Sequence, residues 1–371
     1  MRRTAGMRVA DDAIVAVCRG AVPVLPDDAE GVDDFLAGVR YHRVAPLAHV
    51  ALREAAPELA ARLKEDRDRA LMNHLRTSAL LGKLARTLDG IEWLAFKGPM
   101  LAEFAHPVPG LRFYKDLDLL VAPGQFRDTC RRLLDDGWQV LFSDDSLEAE
   151  EFPGEIALVD AHGVVLDLHW AMEVMQSVRR RFRATAEELI SRRVPVTIGP
   201  AKLHGLSAPD ALVHVCQHAA LIGATKLGHI LDADQLARQV GDWDDVVLRA
   251  ADWGAGVQVA AVLGRARRLL GTLVPDGLAR DLGVGPAMRQ VMRGVDATWP
   301  VQGLRQDESW VRLLTRAMRP GLASTLGSGA RRVGLGAWNR LRGPEAEQPR
   351  VPASREVLDA YLSRVEAMAA R

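Results

Sequence analysis

The chain has 371 residues and a formal net charge of zero, with 48 lysines and arginines against 48 aspartates and glutamates. This length suggests about two or three domains, and the charge balance excludes a globally basic nucleic-acid-binding protein. Cys18, Cys130 and Cys216 are too widely spaced for a zinc motif or a disulfide framework, and no apolar run reaches the roughly 18 residues that cross a bilayer. We therefore expect a cytoplasmic protein without a membrane-spanning segment.

Residues 1–88 are predicted to form an N-terminal helical region. Apolar residues recur at helical intervals over 33–51, and the segment 54–85 is rich in alanine, leucine, arginine and glutamate. Pro46 and Pro57 are typical of turns or of the first turn of a helix. This pattern predicts helices that pack on another part of the chain.

Residues 89–200 are predicted to form a core with a mixed sheet and a few helices. Short apolar segments bounded by turn residues predict strands at 91–96, 112–121, 155–160, 164–170 and 194–198, the last at a sheet edge. The two strands around the turn at 161–163 should form a hairpin. Helices are expected at 100–105 and 124–136.

Residues 201–299 are predicted to form a second helical region, with Ser207 as the N-cap of its first helix and Asp210 at the third helical position. Its helices are expected at 208–222, 226–240, 244–253 and 256–271. Residues 300–371 should form an arginine-rich tail that ends in a helix at 354–370.

The tail segment 309–344 holds seven arginines and no acidic residue. Such a patch can attract an acidic substrate, RNA or an anionic peptide. A solvated helix face is the alternative interpretation.

Two aspartates alternate with leucine in the predicted strand 112–121. Side chains two residues apart lie on one face of a strand, so Asp116 and Asp118 point one way and Leu117 points the other. Adjacent carboxylates repel each other, and their burial without a counter-charge is costly. A divalent cation that prefers oxygen ligands, such as Mg²⁺, removes this cost. An exposed strand end with two solvated aspartates is the alternative.

The predicted strand 164–170 carries Asp167 among apolar neighbours, with His169 on the same face. If this strand lies beside the first acidic strand, Asp167 supplies a third carboxylate. Three carboxylates can bind two metal ions about 3.5–4 Å apart, an arrangement that activates an attacking hydroxyl and stabilises a leaving pyrophosphate. A salt-bridge role for Asp167 and a core position for His169 are the alternatives.

The turn Lys97-Gly98-Pro99 joins a predicted strand to a predicted helix. Glycine allows the backbone to approach a phosphate closely, and a helix N-terminus offers unpaired amides. We expect Lys97 to neutralise triphosphate oxygens. The spacing is not that of a Walker loop, and an ordinary turn is the alternative.

These motifs together resemble a known family. The run FKGPMLAEFAHPVPGLRFYKDLDLLV at 96–121, followed by LDLHW at 166–170, is similar to the uncharacterised nucleotidyltransferase family of the DNA-polymerase-β-like superfamily. The segment 212–247 resembles the helical region of that family. The resemblance extends over about residues 30–260.

The resemblance implies an α+β fold in which a small mixed sheet bears the metal aspartates between N-terminal and C-terminal helical regions. It also implies that Asp116 and Asp118 are metal ligands, that Asp167 is a further ligand or a base, and that Gly98 belongs to the nucleotide turn. Better-characterised superfamily members have Gly-Ser or Gly-Gly where this chain has Gly98 and Pro99. The serine hydroxyl that could bind a phosphate is therefore missing, and Lys97 is expected to replace it as a phosphate contact.

Other candidates flank the acidic strands. Arg112, His169 and Lys226 are placed with the nucleotide-binding residues. His218 could reach the cleft from the helical region, although a core position is typical of such a histidine. Asp232 is expected to cap or pair within the helices, with metal binding as the alternative. A solvated position is the alternative for Arg112.

The predicted function is nucleotidyl transfer that depends on two Mg²⁺ ions. A nucleoside monophosphate would pass from an NTP to a hydroxyl of a small molecule or peptide, with release of pyrophosphate. One alternative is an inactive relative that serves as a binding scaffold. A second is a toxin or antitoxin-type enzyme that acts on protein or tRNA. We predict no membrane partner.

Overall fold

The computed structural model describes residues 5–298, 318, 319, 325 and 353–369. Within these ranges, the helices that precede the first strand are α1 (Ala5–Cys18), α2 (Ala29–Tyr41), α3 (Ala45–Leu52), α4 (Pro57–Ala61) and α5 (Lys64–Thr87). They lie within residues 1–88, where helices were expected.

The predicted helical stretch at 33–51 is divided between α2 and α3. Arg43 lies between the two helices with a φ of 62°, a left-handed value that a right-handed helix does not accommodate. Pro46 lies in the first turn of α3 and Pro57 in the first turn of α4, in agreement with the expectation for both prolines.

The described residues form one seven-stranded sheet with the strand order β3-β4-β5-β2-β1-β7-β6. Its strands are β1 (Trp93–Phe96), β2 (Asp116–Val121), β3 (Gln139–Val140), β4 (Glu155–Val159), β5 (Val165–His169), β6 (Val194–Ile198) and β7 (Ala201–Gly205). β2 is parallel to β5 and β1 is parallel to β7, whereas the other neighbours are antiparallel. The mixed sheet between helical regions confirms the predicted fold class.

Short helices connect these strands. They are α6 (Gly98–Phe104), α7 (Pro123–Asp135), α8 (Asp144–Glu148), α9 (Gln176–Arg179) and α10 (Ala186–Ser191). β4 and β5 form the predicted hairpin, and β6 lies at a sheet edge as predicted. The pairing of β7 with β1 was not predicted, and it extends the sheet to residue 205.

The predicted strand at 112–121 is wrong over its first four residues, since β2 begins at Asp116. The Tyr114 carbonyl accepts a hydrogen bond from Asn73 Nδ2 at 3.2 Å, and the Tyr114 hydroxyl lies 2.6 Å from Thr77 Oγ1. These polar groups are therefore satisfied by α5 and not by a neighbouring strand.

The two faces of the sheet differ in chemistry. Leu117, Leu119, Leu166 and Leu168 are buried in a hydrophobic cluster with residues of α7. The residues that alternate with these leucines include Asp116 and Asp118 of β2 and Asp167 of β5, which therefore lie on the opposite face. The predicted alternation of β2 is thus present in the sheet.

The second helical region follows the sheet. Its helices are α11 (Ala208–Leu221), α12 (Leu227–Ala237), α13 (Trp243–Trp253), α14 (Gly256–Leu270), α15 (Leu278–Asp281) and α16 (Pro286–Thr298). Ser207 caps α11 by accepting a hydrogen bond from the Asp210 amide, as predicted. α11 lies against the acidic face of the sheet, where His214 contacts Phe96 with 5.4 Å between the ring centroids.

The last helix, α17 (Arg355–Ala369), agrees with the predicted helix at 354–370 and packs on α7. Its Tyr361 hydroxyl accepts a hydrogen bond from Trp170 Nε1 at 2.9 Å and donates one to the Pro153 carbonyl at 3.0 Å. Apart from Arg319, the arginines predicted to form a patch at 309–344 lie outside the described residues. None of the helices in the described ranges combines the length and the low polarity needed to cross a bilayer.

Candidate functional site

The register between β2 and β5 brings two predicted site residues together. Asp118 is paired with Asp167 across the two parallel strands, so their side chains lie on the same face. Glu155 of β4 is paired with His169 of β5 and also lies on this face. We call Asp116, Asp118, Glu155 and Asp167 the carboxylate wall.

Three ligand-bearing side chains of this face are close enough to share one ion. Oxygen atoms of Asp118 and Asp167 and a ring nitrogen of His169 all lie within 4.8 Å of one another. Asp118 Oδ2 is buried and has no hydrogen-bond partner among the described residues. Asp116 lies on the same face of β2 but is not part of this group of three.

Two basic groups contact Asp118. Lys97 Nζ lies 3.0 Å from Asp118 Oδ1, and His169 Nε2 lies 3.3 Å from the same oxygen and 3.1 Å from Glu155 Oε2. Burial raises the pKa of Asp118, but Lys97 and His169 outweigh burial, so this pKa lies below its ordinary value. Asp118 is therefore a buried anion held by neighbouring cations.

Asp167 and Asp116 have the opposite shift. Burial, together with the charges of Glu155 and Asp118, raises the pKa of Asp167 to about 7. Burial and Asp118 also raise the pKa of Asp116. The carboxylate wall therefore carries more acidic groups than its basic neighbours neutralise, which is the condition that a divalent cation relieves.

The Lys97-Gly98 turn is strained and tightly packed. Lys97 has φ 56° and ψ −141°, a conformation that is otherwise confined to glycine. Gly98 has φ 29°, and a Cβ at this position would lie 2.9 Å from the Asp116 carbonyl oxygen. The close approach of this turn to β2 therefore requires Gly98, and it places the Lys97 ammonium beside Asp118.

A second set of titratable groups faces the cleft from the helical region. His214 and His218 lie one turn apart on α11 with 6.2 Å between ring centroids, and His218 lies 5.7 Å from His229 of α12. We call these three residues the histidine wall. Burial lowers the pKa of His218 to about 3 and lowers the pKa values of His214 and His229 well below the usual range.

The histidine wall is therefore neutral at ordinary pH. Neither ring nitrogen of His214 has a hydrogen-bond partner within the part of the chain that the structure describes. Arg43 Nη1 lies 3.5 Å from His229 Nε2. Arg43 was not predicted as a site residue, because its position depends on the left-handed turn between α2 and α3.

A buried ion pair joins the segment before β2 to the helical region. Arg112 donates two hydrogen bonds to Asp232 of α12, both at 2.8 Å. Asp232 was expected to cap or pair within the helices, and its partner Arg112 lies outside them. Lys226 does not line the cleft, and its ammonium lies 3.2 Å from the centroid of the Tyr41 ring.

The cleft between the two walls has a volume of about 400 Å³. Its lining combines the carboxylate wall and the histidine wall with four basic side chains, Arg43, Lys97, Arg112 and Lys115. Glu155 was missed from the sequence, although the alternation of the β4–β5 hairpin places it on the acidic face. Such a cleft can bind a polyanion together with a cation.

A mixed sheet that bears aspartates on neighbouring strands, flanked by helices, is the arrangement that the resemblance implied for a nucleotidyltransferase. Residues 28–271 match the family model described as uncharacterised nucleotidyltransferase. The chain therefore belongs to this family, which confirms the resemblance. Membership of this family supports nucleotidyl transfer as the general class of reaction.

Among solved structures, an antigenic nucleotidyltransferase-like protein from Paracoccidioides brasiliensis is similar to this chain. The similarity covers 54% of this chain and 95% of that protein, with 14% sequence identity and a TM-score of 0.37. No curated protein matches the chain in sequence.

Proposed function

We propose that this protein is a Mg²⁺-dependent nucleotidyltransferase that moves a nucleoside monophosphate from an NTP to a hydroxyl of a small molecule or peptide. The observation that carries this proposal is the pairing of Asp118 with Asp167 on adjacent parallel strands, with a buried carboxylate oxygen of Asp118 unpartnered among the described residues. A buried polar atom of this kind is costly unless a ligand satisfies it.

The residues of the carboxylate wall fit magnesium. Asp116, Asp118 and Asp167 would bind Mg²⁺, since carboxylate oxygens are the ligands that this hard cation prefers. The bound metal would supply positive charge to the triphosphate and to the leaving pyrophosphate. Two ions remain our expectation, because the wall holds enough carboxylates for both.

His169 is better suited to orienting carboxylates than to binding magnesium. Its pKa is raised, because Glu155 and Asp118 outweigh the effect of burial. A protonated His169 between these two acids would hold Asp118 in place. In this role His169 supports the metal site without supplying a ligand.

The basic side chains of the cleft would bind the triphosphate. The cleft that Asp118 lines is also lined by four basic side chains, Arg43, Lys97, Arg112 and Lys115. Nucleotidyl transfer depends mainly on positioning and charge neutralisation, so these groups need no covalent role.

The reaction would form one bond and break one bond at the α-phosphorus. The acceptor oxygen would form a bond to the α-phosphorus. The bond between the α-phosphorus and the oxygen that bridges it to the β-phosphorus would break, and pyrophosphate would leave with the electron pair of that bond. Asp167, which lines the same cleft, would take the proton of the acceptor hydroxyl.

The test compares label transfer by the wild-type protein and by the double variant Asp116→Asn/Asp118→Asn. Purified protein is incubated with labelled NTPs, Mg²⁺ and a metabolite extract. We expect metal-dependent transfer that the double variant loses by more than about a thousandfold, since both metal carboxylates are removed. Asp135→Asn, on the exposed side of α7, is the matched control and should retain transfer.

Calorimetry of the same proteins separates the enzyme from a scaffold. Wild-type protein should bind NTP only when Mg²⁺ is present. Equal labelling by both proteins, or the absence of metal-dependent NTP binding, would refute the proposal and favour an inactive relative.

A further inference from the structure

A second, apolar cavity adjoins the cleft. It has a volume of about 200 Å³ and lies between α6, β6 and α11. Four residues line both cavities, namely Lys97, Leu101, His214 and Val215. We call this cavity the apolar pocket.

The lining of the apolar pocket is almost entirely hydrocarbon. Phe96, Met100, Leu101 and Leu236 are buried in its wall. Phe104 and Gln239 line its exposed side, where the Gln239 amide donates to the Phe104 carbonyl. The pocket therefore extends from the protein surface to the wall that it shares with the cleft.

His214 is the polar group of the shared wall that lacks a partner. Its side chain is 2% exposed, and neither ring nitrogen is hydrogen-bonded among the described residues. The other polar group in this wall, Lys97, already contacts Asp118. A buried imidazole without a partner is costly, and a ligand hydroxyl that reached it would remove that cost.

We infer that the apolar pocket binds the hydrocarbon part of a hydroxyl-bearing acceptor, whose hydroxyl oxygen accepts a hydrogen bond from a ring N–H of His214. This inference rests on the proposed function, since it assigns the acceptor side of the same site. A cavity of about 150 Å³ with an apolar lining can bind benzene, so the pocket is large enough for one aromatic ring or a branched alkyl group.

The chemistry of the lining disfavours the nucleotide as the occupant. A nucleobase presents several hydrogen-bonding groups along its edges, whereas the apolar pocket offers few polar atoms and the Gln239 amide is engaged. The phosphates match the basic side chains of the cleft instead. The cleft would therefore hold the charged nucleotide donor, and the apolar pocket would hold the apolar group of the acceptor.

The inference is tested with two small probes, 4-fluorobenzyl alcohol and 4-fluorotoluene, whose binding is followed by ¹⁹F NMR. Ala211 lines the apolar pocket from α11, and Ala211→Phe should fill it. We expect at least a tenfold loss of affinity for both probes. Ala208→Phe, in the first turn of α11, is a second filling variant, and Ala61→Phe on the exposed surface of α4 is the matched control.

His214→Leu tests the hydrogen bond separately. This variant should still bind 4-fluorotoluene, while its affinity for the alcohol relative to the toluene should fall about fivefold to tenfold. An unchanged ratio would remove His214 from the inference. A uniform loss of both probes would indicate a structural role for His214 and would also count against it.

Mg²⁺ and each of the four common NTPs titrated into the same samples distinguish the two hypotheses. If an NTP binds with Mg²⁺ and Asp116→Asn/Asp118→Asn abolishes that binding, the proposed function stands. The pocket assignment then falls if the alcohol does not bind wild-type protein or binds Ala211→Phe equally well. It also falls if that NTP displaces the probe, because the nucleotide would then occupy the pocket. If none of the four NTPs binds with Mg²⁺, the proposed function fails, and the acceptor assignment fails with it.

Discussion

Buried groups on the two walls of the cleft differ in charge, since Asp118 of the carboxylate wall is ionised whereas the imidazoles of the histidine wall are neutral. The carboxylate wall keeps Asp118 ionised, because Lys97 and His169 lie beside it. The histidine wall holds its imidazoles neutral, because burial there is not offset by neighbouring carboxylates. Burial alone therefore does not set the charge of a buried group, and the position of the nearest counter-charge decides it.

The largest expected effect concerns the ion pair that joins the segment before β2 to α12. Arg112→Ala leaves Asp232 buried without its partner, since the two side chains are 14% and 3% exposed. We expect the free energy of unfolding to fall by about 3–5 kcal/mol in urea denaturation. The double variant Arg112→Met/Asp232→Leu should be less destabilised than either single variant, because no unpaired charge remains.

An exposed ion pair provides the control. Arg62 and Asp33 are 54% and 66% exposed, so Arg62→Ala should cost no more than about 1 kcal/mol. Equal losses for Arg112→Ala and Arg62→Ala would contradict the view that a buried pair connects the two sides of the cleft.

A smaller effect tests the neutrality of the histidine wall through pH. Because the pKa of His214 is lowered in the folded protein, the unfolded chain binds more protons below the ordinary histidine pKa of about 6.5. Stability from this residue is present above that pH and is lost as the pH falls. Relative to His214→Leu, wild-type protein should lose about 1.4 kcal/mol between pH 7.5 and pH 5.5.

The comparison with a single variant is necessary, because Asp167 acts in the opposite direction. Asp167 has a raised pKa, so its contribution to stability is present at low pH and is lost as the pH rises through about 7. If the difference in stability between wild-type protein and His214→Leu is the same at both pH values, the imidazole of His214 is not held neutral by the fold.

The smallest expected effect concerns backbone strain beside the carboxylate wall. Lys97 has a glycine-like conformation, so Lys97→Gly should be more stable than Lys97→Ala by about 1 kcal/mol in urea denaturation. At Lys202, an exposed residue of β7, Lys202→Ala should instead be more stable than Lys202→Gly by about 0.5–1 kcal/mol. If the alanine variant is more stable than the glycine variant at both positions, the turn at Lys97 stores no strain.

Local patterns predicted the carboxylate wall better than the histidine wall. Asp116 and Asp118 are two residues apart on one strand, and Asp167 and His169 repeat this spacing on another, so each pair could be assigned to one face before the structure was known. His214 and His229 lie on different helices, and their approach depends on how α11 and α12 pack. No spacing in the sequence encodes that packing.

The alternation of charged and apolar residues and the helix-capping residues were sufficient to predict the mixed sheet, most helix positions and the acidic face. Those features are local, since they depend on neighbours within a few residues along the chain. The pairing of Asp118 with Asp167, the contact of Lys97 with Asp118 and the apolar pocket beside the cleft were decided by tertiary structure. They depend on strand order, on the left-handed turn before α6 and on the packing of α11, which join residues that are distant in sequence.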